Sequence, residues 1–160
     1  MSEFQLINNK SLIPTSRIAK NETPDFCKGC GGCCKSQPGG YSPDQFSSED
    51  EIINLLVSNK AILDWWVHGI QSIYYLRPKK ATEFGYIAAN SPPMGNCIHL
   101  TEKGCSMAWS KRPHNCRALR AFAPKECEPI YEISPKKLVS FAWHNSEFDL
   151  EEMLSKAYEM

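Results

Sequence analysis

Eight cysteines are the residues of this 160-residue chain whose type and spacing point most directly to chemistry. Four of them, the early cysteines, form the pattern Cys27-x-x-Cys30-x-x-Cys33-Cys34. The other four, the late cysteines, follow an insert spanning residues 35–96 and are Cys97, Cys105, Cys116 and Cys127. A C-x-x-C turn brings two thiolates close enough to share one metal ion. The spacing therefore predicts a metal site whose two halves are brought together by the fold.

Other uses of the thiols remain open. An even number of cysteines suits disulfides, but disulfide scaffolds are usually short and secreted, and the N-terminus has no charged-then-apolar signal pattern. Inert or redox thiols would not be expected at such close spacing. A catalytic cysteine paired with a histidine is also possible, but the sequence singles out no one thiol for that role. We expect a cytoplasmic protein whose thiols are held by metal.

The cysteine pattern gives less direct information on how many ions bind and which metal they are. Adjacent side chains diverge on an extended backbone, so Cys33 and Cys34 do not both fit one tetrahedral ion comfortably. This favours two ions, or one ion with spare thiols. All-thiolate ligation suits zinc or iron–sulfur clusters. The bacterial ferredoxin run is absent, which favours Zn²⁺, with iron or a [4Fe-4S] cluster as the alternative.

Side chains beside the late cysteines are candidates to complete or neutralise the site. His99 and His114 each lie two residues from a cysteine, so either can replace a thiol in a mixed site; a surface or packed histidine is the alternative. Three arginines near Cys116 either offset the thiolate charge or form an ordinary solvated stretch. They are Arg112, Arg117 and Arg120.

The net charge and the hydropathy of the chain limit which kinds of binding partner are expected. Lys+Arg and Asp+Glu are both 18, so the formal net charge is zero, and a broad nucleic-acid or anionic-membrane surface is not expected. No apolar run approaches the ~20 residues of a membrane-spanning helix. The predicted partner is a metal ion, and a protein partner remains possible.

The elements that must position the cysteines predict a small α+β domain. We expect an N-terminal extension over 1–25 and a domain over 26–160, in which an irregular metal-bound cysteine knuckle packs against three or four helices and a short antiparallel sheet. A helix start at 42–45 precedes one or two amphipathic helices over about 48–66. The stretch 71–76 predicts a strand that 83–89 can pair with. Further helices are predicted as a turn within 116–123, over 134–144 and after the cap at 146–149.

The ordered cysteine pattern resembles the YkgJ-like cysteine-cluster family, with its CxxCxxCC motif, described as a zinc- or iron-chelating domain. The residues that carry the resemblance are Cys27-x-x-Cys30-Gly31-Gly32-Cys33-Cys34, Cys97-Ile98-His99-Leu100, Gly104-Cys105 and Arg112-Pro113-His114-Asn115-Cys116-Arg117. The resemblance implies a small cytosolic metal-binding protein in which the early cysteines, Cys97, Cys105 and Cys116 are ligands. Cys127 lies outside the core motif.

Three functions are compatible with these residues. The first is a metal-binding protein whose cysteines hold zinc or iron. The second is an iron–sulfur enzyme for redox or methyl transfer; flagellin lysine methylases carry a similar cluster, but this chain has no Gly-rich cofactor unit after a strand. The third is a metal-stabilised interaction module presenting Trp109, Arg112 and Arg117. Whether the protein is an enzyme stays open.

Overall fold

A computed structural model of the chain describes residues 38–90, 95–117, 119–123, 126–129 and 135–160. Only the backbone course is described at 119–123 and 126–129. The early cysteines, the predicted boundary after residue 25 and Ser134 lie outside these ranges. The helices are α1 (Glu49–Val57), α2 (His114–Arg117), α3 (Pro135–His144) and α4 (Leu150–Tyr158), with 3₁₀ turns at Pro43–Gln45 and Trp109–Lys111. The strands are β1 (Ala61–His68), β2 (Gln71–Pro78), β3 (Leu100–Thr101), β4 (Gly104–Cys105), β5 (Leu119–Ala123) and β6 (Glu126–Pro129).

The architecture is α+β, as predicted. Within the described ranges, four α-helices accompany three separate two-stranded antiparallel sheets, pairing β1 with β2, β3 with β4 and β5 with β6. The longest ribbon is β1–β2, in register from Ala61↔Pro78 to His68↔Gln71. Its two-residue turn places Gly69 at φ +65°, a left-handed conformation that glycine adopts without steric strain.

The predicted helix over 48–66 is wrong in its second half. The helix α1 ends at Val57, and Asn59 then takes a left-handed φ of 61° that turns the chain into β1. The apolar residues after this turn are mostly β-branched or aromatic, which favours a pleated strand, whereas their three- and four-residue spacing alone also fits a helix. Tertiary pairing with β2 decides between the two.

Two further local predictions need correction. The stretch 83–89 lies along the outer edge of β1 rather than beside β2, whose Leu76 carbonyl instead accepts from the N–H of Tyr41 (2.8 Å). At the outer edge of β1 the N–H of Leu63 donates to the carbonyl of Tyr86 (2.9 Å), and the N–H of Ala88 donates to the carbonyl of Leu63 (2.8 Å). The helical turn predicted within 116–123 begins earlier, at His114 just after Pro113, and the chain is extended again from Leu119.

The hydrophobic core lies between the β1–β2 ribbon and helices α1, α3 and α4. Trp143 of α3 is almost fully buried, and its indole N–H donates to the carbonyl of Tyr41 at 2.8 Å. Helix α3 runs from Pro135 to His144 and α4 is capped by Asp149, both as predicted. The core therefore anchors the segment around Tyr41, which follows the early cysteines in the chain.

Within the described part of the chain, no helix has both the length and the apolar character needed to cross a membrane.

Candidate metal centre

Cys97 and Cys105 lie on one short knuckle, residues 97–105. The N–H of Leu100 donates to the carbonyl of Cys97 at 3.0 Å, which closes a turn, and Leu100 pairs with Cys105 across the β3–β4 ladder. Gly104 at φ +94° closes the hairpin between the strands. Residues opposite each other in an antiparallel pair are neighbours, so the knuckle keeps the two cysteines close in space.

The knuckle is fastened to the core through the loop that follows β2. The N–H of Ile98 donates to the carbonyl of Lys79 (3.0 Å), and the N–H of Ala81 donates to the carbonyl of Asn96 (2.8 Å), on either side of a bridge between Lys80 and Cys97. These backbone hydrogen bonds hold buried Cys97 in a fixed position relative to the β1–β2 ribbon.

Cys116 lies in α2, directly against the chain that leads away from the early cysteines. The N–H of Asn115 donates to the carbonyl of Gly40 at 3.0 Å. A Cβ atom placed on Gly39 would lie 2.7 Å from the backbone nitrogen of Cys116 and 2.9 Å from the carbonyl carbon of Asn115. Only a glycine permits this approach, because real Cβ atoms essentially never come so close. The two chain segments therefore cross in backbone contact.

Tyr41 is buried and directly follows Gly40, whose carbonyl accepts from the N–H of Asn115. Burial raises the pKa of Tyr41 well above its usual range, and the negative charges of Cys116, Cys97 and Cys105 raise it further. All three cysteines are thiols rather than disulfides.

Buried polar side chains surround Cys116. His114, Asn115 and Arg117 are almost fully buried, at 1%, 7% and 3% exposure. Burial lowers the pKa of Arg117, while the negative charges of Asp44 and Cys116 partly offset this. A cation near a sulfur stabilises its thiolate form, so the neutralising role of Arg117 stays a prediction that its burial and its charge interaction with Cys116 are compatible with. Arg112 instead contacts the ring of Trp109 at 5.5 Å and donates to the carbonyl of Met107.

Burial lowers the pKa of both candidate histidines. The pKa of His114 falls to about 4, with Asp44 raising it and Arg117 lowering it. For His99, the charge of Lys60 acts in the same direction as burial. Neutral imidazole is the form that binds metal, so a lowered pKa is compatible with the predicted mixed site.

The structure describes four of the predicted ligands. Cys97 and Cys105 share the knuckle and Cys116 lies in α2, whereas Cys127 is placed only by its backbone, in β6 opposite Ala121. Among the described residues, no group of three or more His, Cys, Asp or Glu side chains is arranged to hold a metal ion by itself. The early cysteines lie outside the described residues, as does the side chain of Arg120.

The interaction surface expected at Trp109, Arg112 and Arg117 is not presented as predicted. Trp109 is 2% exposed and Arg117 is 3% exposed, so both side chains are inside the protein. Only Arg112 keeps partial exposure.

The site also includes residues that the sequence does not single out. The sequence places Gly39 only in a loop, and it gives no signal at Tyr41.

Comparison of the chain with protein-family models, with curated proteins and with solved structures found no match. The family resemblance of the cysteine pattern therefore stays a prediction.

Proposed function

We propose that this protein binds zinc through thiolates of both cysteine groups, and that the ion holds the two segments together. The observation that carries the proposal is the backbone crossing of Gly39, five residues after Cys34, against Cys116, together with the knuckle that carries Cys97 and Cys105. Thiols on these elements, with buried Arg117 next to Cys116 in the chain, are ligands suited to a divalent cation.

Covalent reach supports a contribution from the early cysteines. Five positions separate Cys34 from Gly39, and a fully extended chain spans at most ~3.6 Å per residue. Cys34 can therefore lie at most about 18 Å from Gly39, and Gly39 lies against the backbone of Cys116. A connection this short favours one ion shared by Cys34 and Cys116 over two distant ions.

The proposed role of the ion is structural. Zinc bound by thiolates needs no redox partner, and structural zinc contributes ~10–16 kcal/mol of apparent binding free energy to folding. Cys97 and Cys105 lie on a short hairpin and Cys116 lies on a one-turn helix, elements that are held by contacts with other segments rather than by their own length. A shared ion would cross-link these elements to the chain that carries the early cysteines.

The test is elemental analysis with a visible spectrum, on full-length protein purified anaerobically. We expect at least one zinc per chain, no visible absorption, and loss of the thermal transition when a strong chelator is added. Zinc content clearly below one per chain, without iron, would overturn metal binding. Stoichiometric iron with broad visible absorption would instead support the iron–sulfur alternative.

A matched pair of variants separates ligation from general damage. Cys116→Ser should reduce zinc content and raise the chelator sensitivity of the protein. Ser72→Ala, at an exposed position on β2, should leave both unchanged. Equal zinc retention in both variants would remove Cys116 from the ligand set.

A further inference from the structure

The side-chain amide of Gln45 bridges two segments that are far apart in sequence. Its Oε1 accepts from the N–H of Ser42 at 2.9 Å and from the N–H of His114 at 2.8 Å. Its Nε2 donates to the carbonyl of Arg112 at 2.9 Å. The amide thus binds the chain just after the early cysteines and the chain just before Cys116.

These contacts go beyond the local helix cap that the sequence predicts. A cap for the 3₁₀ turn at Pro43–Gln45 needs only the N–H of Ser42. The other two hydrogen bonds reach residues 67 and 69 positions away. They use both the acceptor and the donor of the amide, a combination that neither a carboxylate nor an apolar side chain of the same length supplies.

The bridge orients α2. The first N–H groups of a helix lack partners within the helix. In α2 the N–H of His114 donates to Oε1 of Gln45, and the N–H of Asn115 donates to the carbonyl of Gly40 (3.0 Å). The start of α2 is therefore fixed by the segment 40–45, and the position of Cys116, two residues further on, follows from it.

We infer that Gln45 is a positioning residue for the metal centre, holding Cys116 in register with the chain that carries the early cysteines. This inference rests on the proposed function. Gln45 need not touch the ion; it acts through the backbone of α2. Hydrogen-bonding partners that orient metal ligands typically change metal affinity by 10–100-fold when they are removed.

The test compares Gln45→Met with Gln71→Met in the full-length chain. Gln71 is exposed at the start of β2, which makes it a control for side-chain chemistry. Zn²⁺ affinity is measured by competition with a chromophoric chelator, and the thiolate-to-metal charge-transfer band is recorded with Co²⁺. Gln45→Met should weaken Zn²⁺ binding ~10–100-fold and alter the Co²⁺ band, while Gln71→Met matches the unmodified protein.

A purely structural role is distinguished by thermal unfolding with and without Zn²⁺. Because a ligand stabilises the folded state according to its affinity, a positioning role shrinks the Zn²⁺-induced shift in Tm. A structural role lowers Tm in both states and leaves the shift intact, which would overturn the inference. If Gln45→Met does not fold, Gln45→Glu keeps an acceptor for the N–H groups of Ser42 and His114 and replaces the donor to Arg112 by a carboxylate oxygen, and the same criteria apply.

Different results would overturn zinc binding by the protein and the positioning role of Gln45. Unmodified protein that binds neither Zn²⁺ nor Co²⁺ would overturn the proposed function and this inference with it. Unmodified protein that binds both ions, with Gln45→Met unchanged in affinity and spectrum, would overturn the positioning role alone.

Discussion

Arg77 and Glu83 form a two-point ion pair inside the protein, with both guanidinium Nη atoms donating to the two carboxylate oxygens at 2.7 Å each. Arg77 is completely buried, and its Nε donates to Asp64 at 2.8 Å, so one cation serves two carboxylates. Glu83 also accepts from the backbone N–H of Lys80, the residue bridged to Cys97. The ion pair therefore connects the β1–β2 ribbon to the knuckle.

Removal of Glu83 should destabilise the fold substantially. Glu83→Ala leaves the buried charge of Arg77 with Asp64 alone and breaks the contact to Lys80, so we expect a loss of about 3 kcal/mol in the free energy of unfolding. Urea denaturation followed by circular dichroism measures it. The control is Glu49→Ala, which breaks the exposed Glu49–Lys156 pair (2.9 Å) and should have a much smaller effect, because water screens the pair. Equal losses in the two variants would contradict a special role for the buried pair.

The same network predicts how stability depends on pH. Burial alone raises the pKa of each carboxyl, but the hydrogen bonds and charge of Arg77 outweigh it, so the pKa of Asp64 and the pKa of Glu83 lie below their ordinary values. Carboxyls with a lowered pKa contribute stability that is fully present above their unfolded pKa, about 4, and that is lost as the pH falls through the folded values.

Denaturation of the native chain and of the double variant Asp64→Asn/Glu83→Gln tests this dependence. The stability difference between them should be largest above about pH 5 and should shrink below about pH 4. Comparison at equal pH makes any acid loss of metal common to both proteins. A difference that stays constant down to about pH 3 would show that Asp64 and Glu83 do not gain stability from ionisation in the folded state.

Gly39→Ala should damage the metal centre more than the fold. The added methyl would meet the backbone of Asn115 and Cys116, which cannot move aside as a flexible side chain can. We expect a loss of about 1–3 kcal/mol in stability, together with weaker zinc binding measured by chelator competition. Gly85→Ala meets nothing within 4 Å and is strained only by its φ of +78°, so it should keep zinc affinity. Native zinc affinity in Gly39→Ala would show that the crossing does not place Cys116.

The sequence predicted those elements whose ends are determined by the residues at the ends themselves. Pro135 and Asp149 set the starts of α3 and α4 without help from the rest of the chain, and the turn before Cys105 follows from Gly104. Fold class followed from the same signals.

The remaining features depend on distant partners. The apolar residues of β1 fit a helix or a strand by spacing alone, and only pairing with β2 decides. From the neighbouring residues alone, Gln45 is predicted only to cap the turn that it ends. Its hydrogen bonds to Arg112 and His114 depend on how the chain folds back. Nothing near Gly39 in the sequence indicates that it lies against the backbone of Cys116. The pattern identified which residues are ligand candidates, and the fold determines which of them meet.

The central claim is that early and late cysteines share one metal centre. Differential alkylation with peptide mapping by mass spectrometry, on native protein before and after chelation, tests it most directly. We predict that Cys27, Cys30 and one or both of the adjacent Cys33 and Cys34 gain reactivity together with Cys97, Cys105 and Cys116 when the metal is removed. Chelation that exposes only one of the two groups, or peptides joined by disulfides in the native protein, would contradict the account.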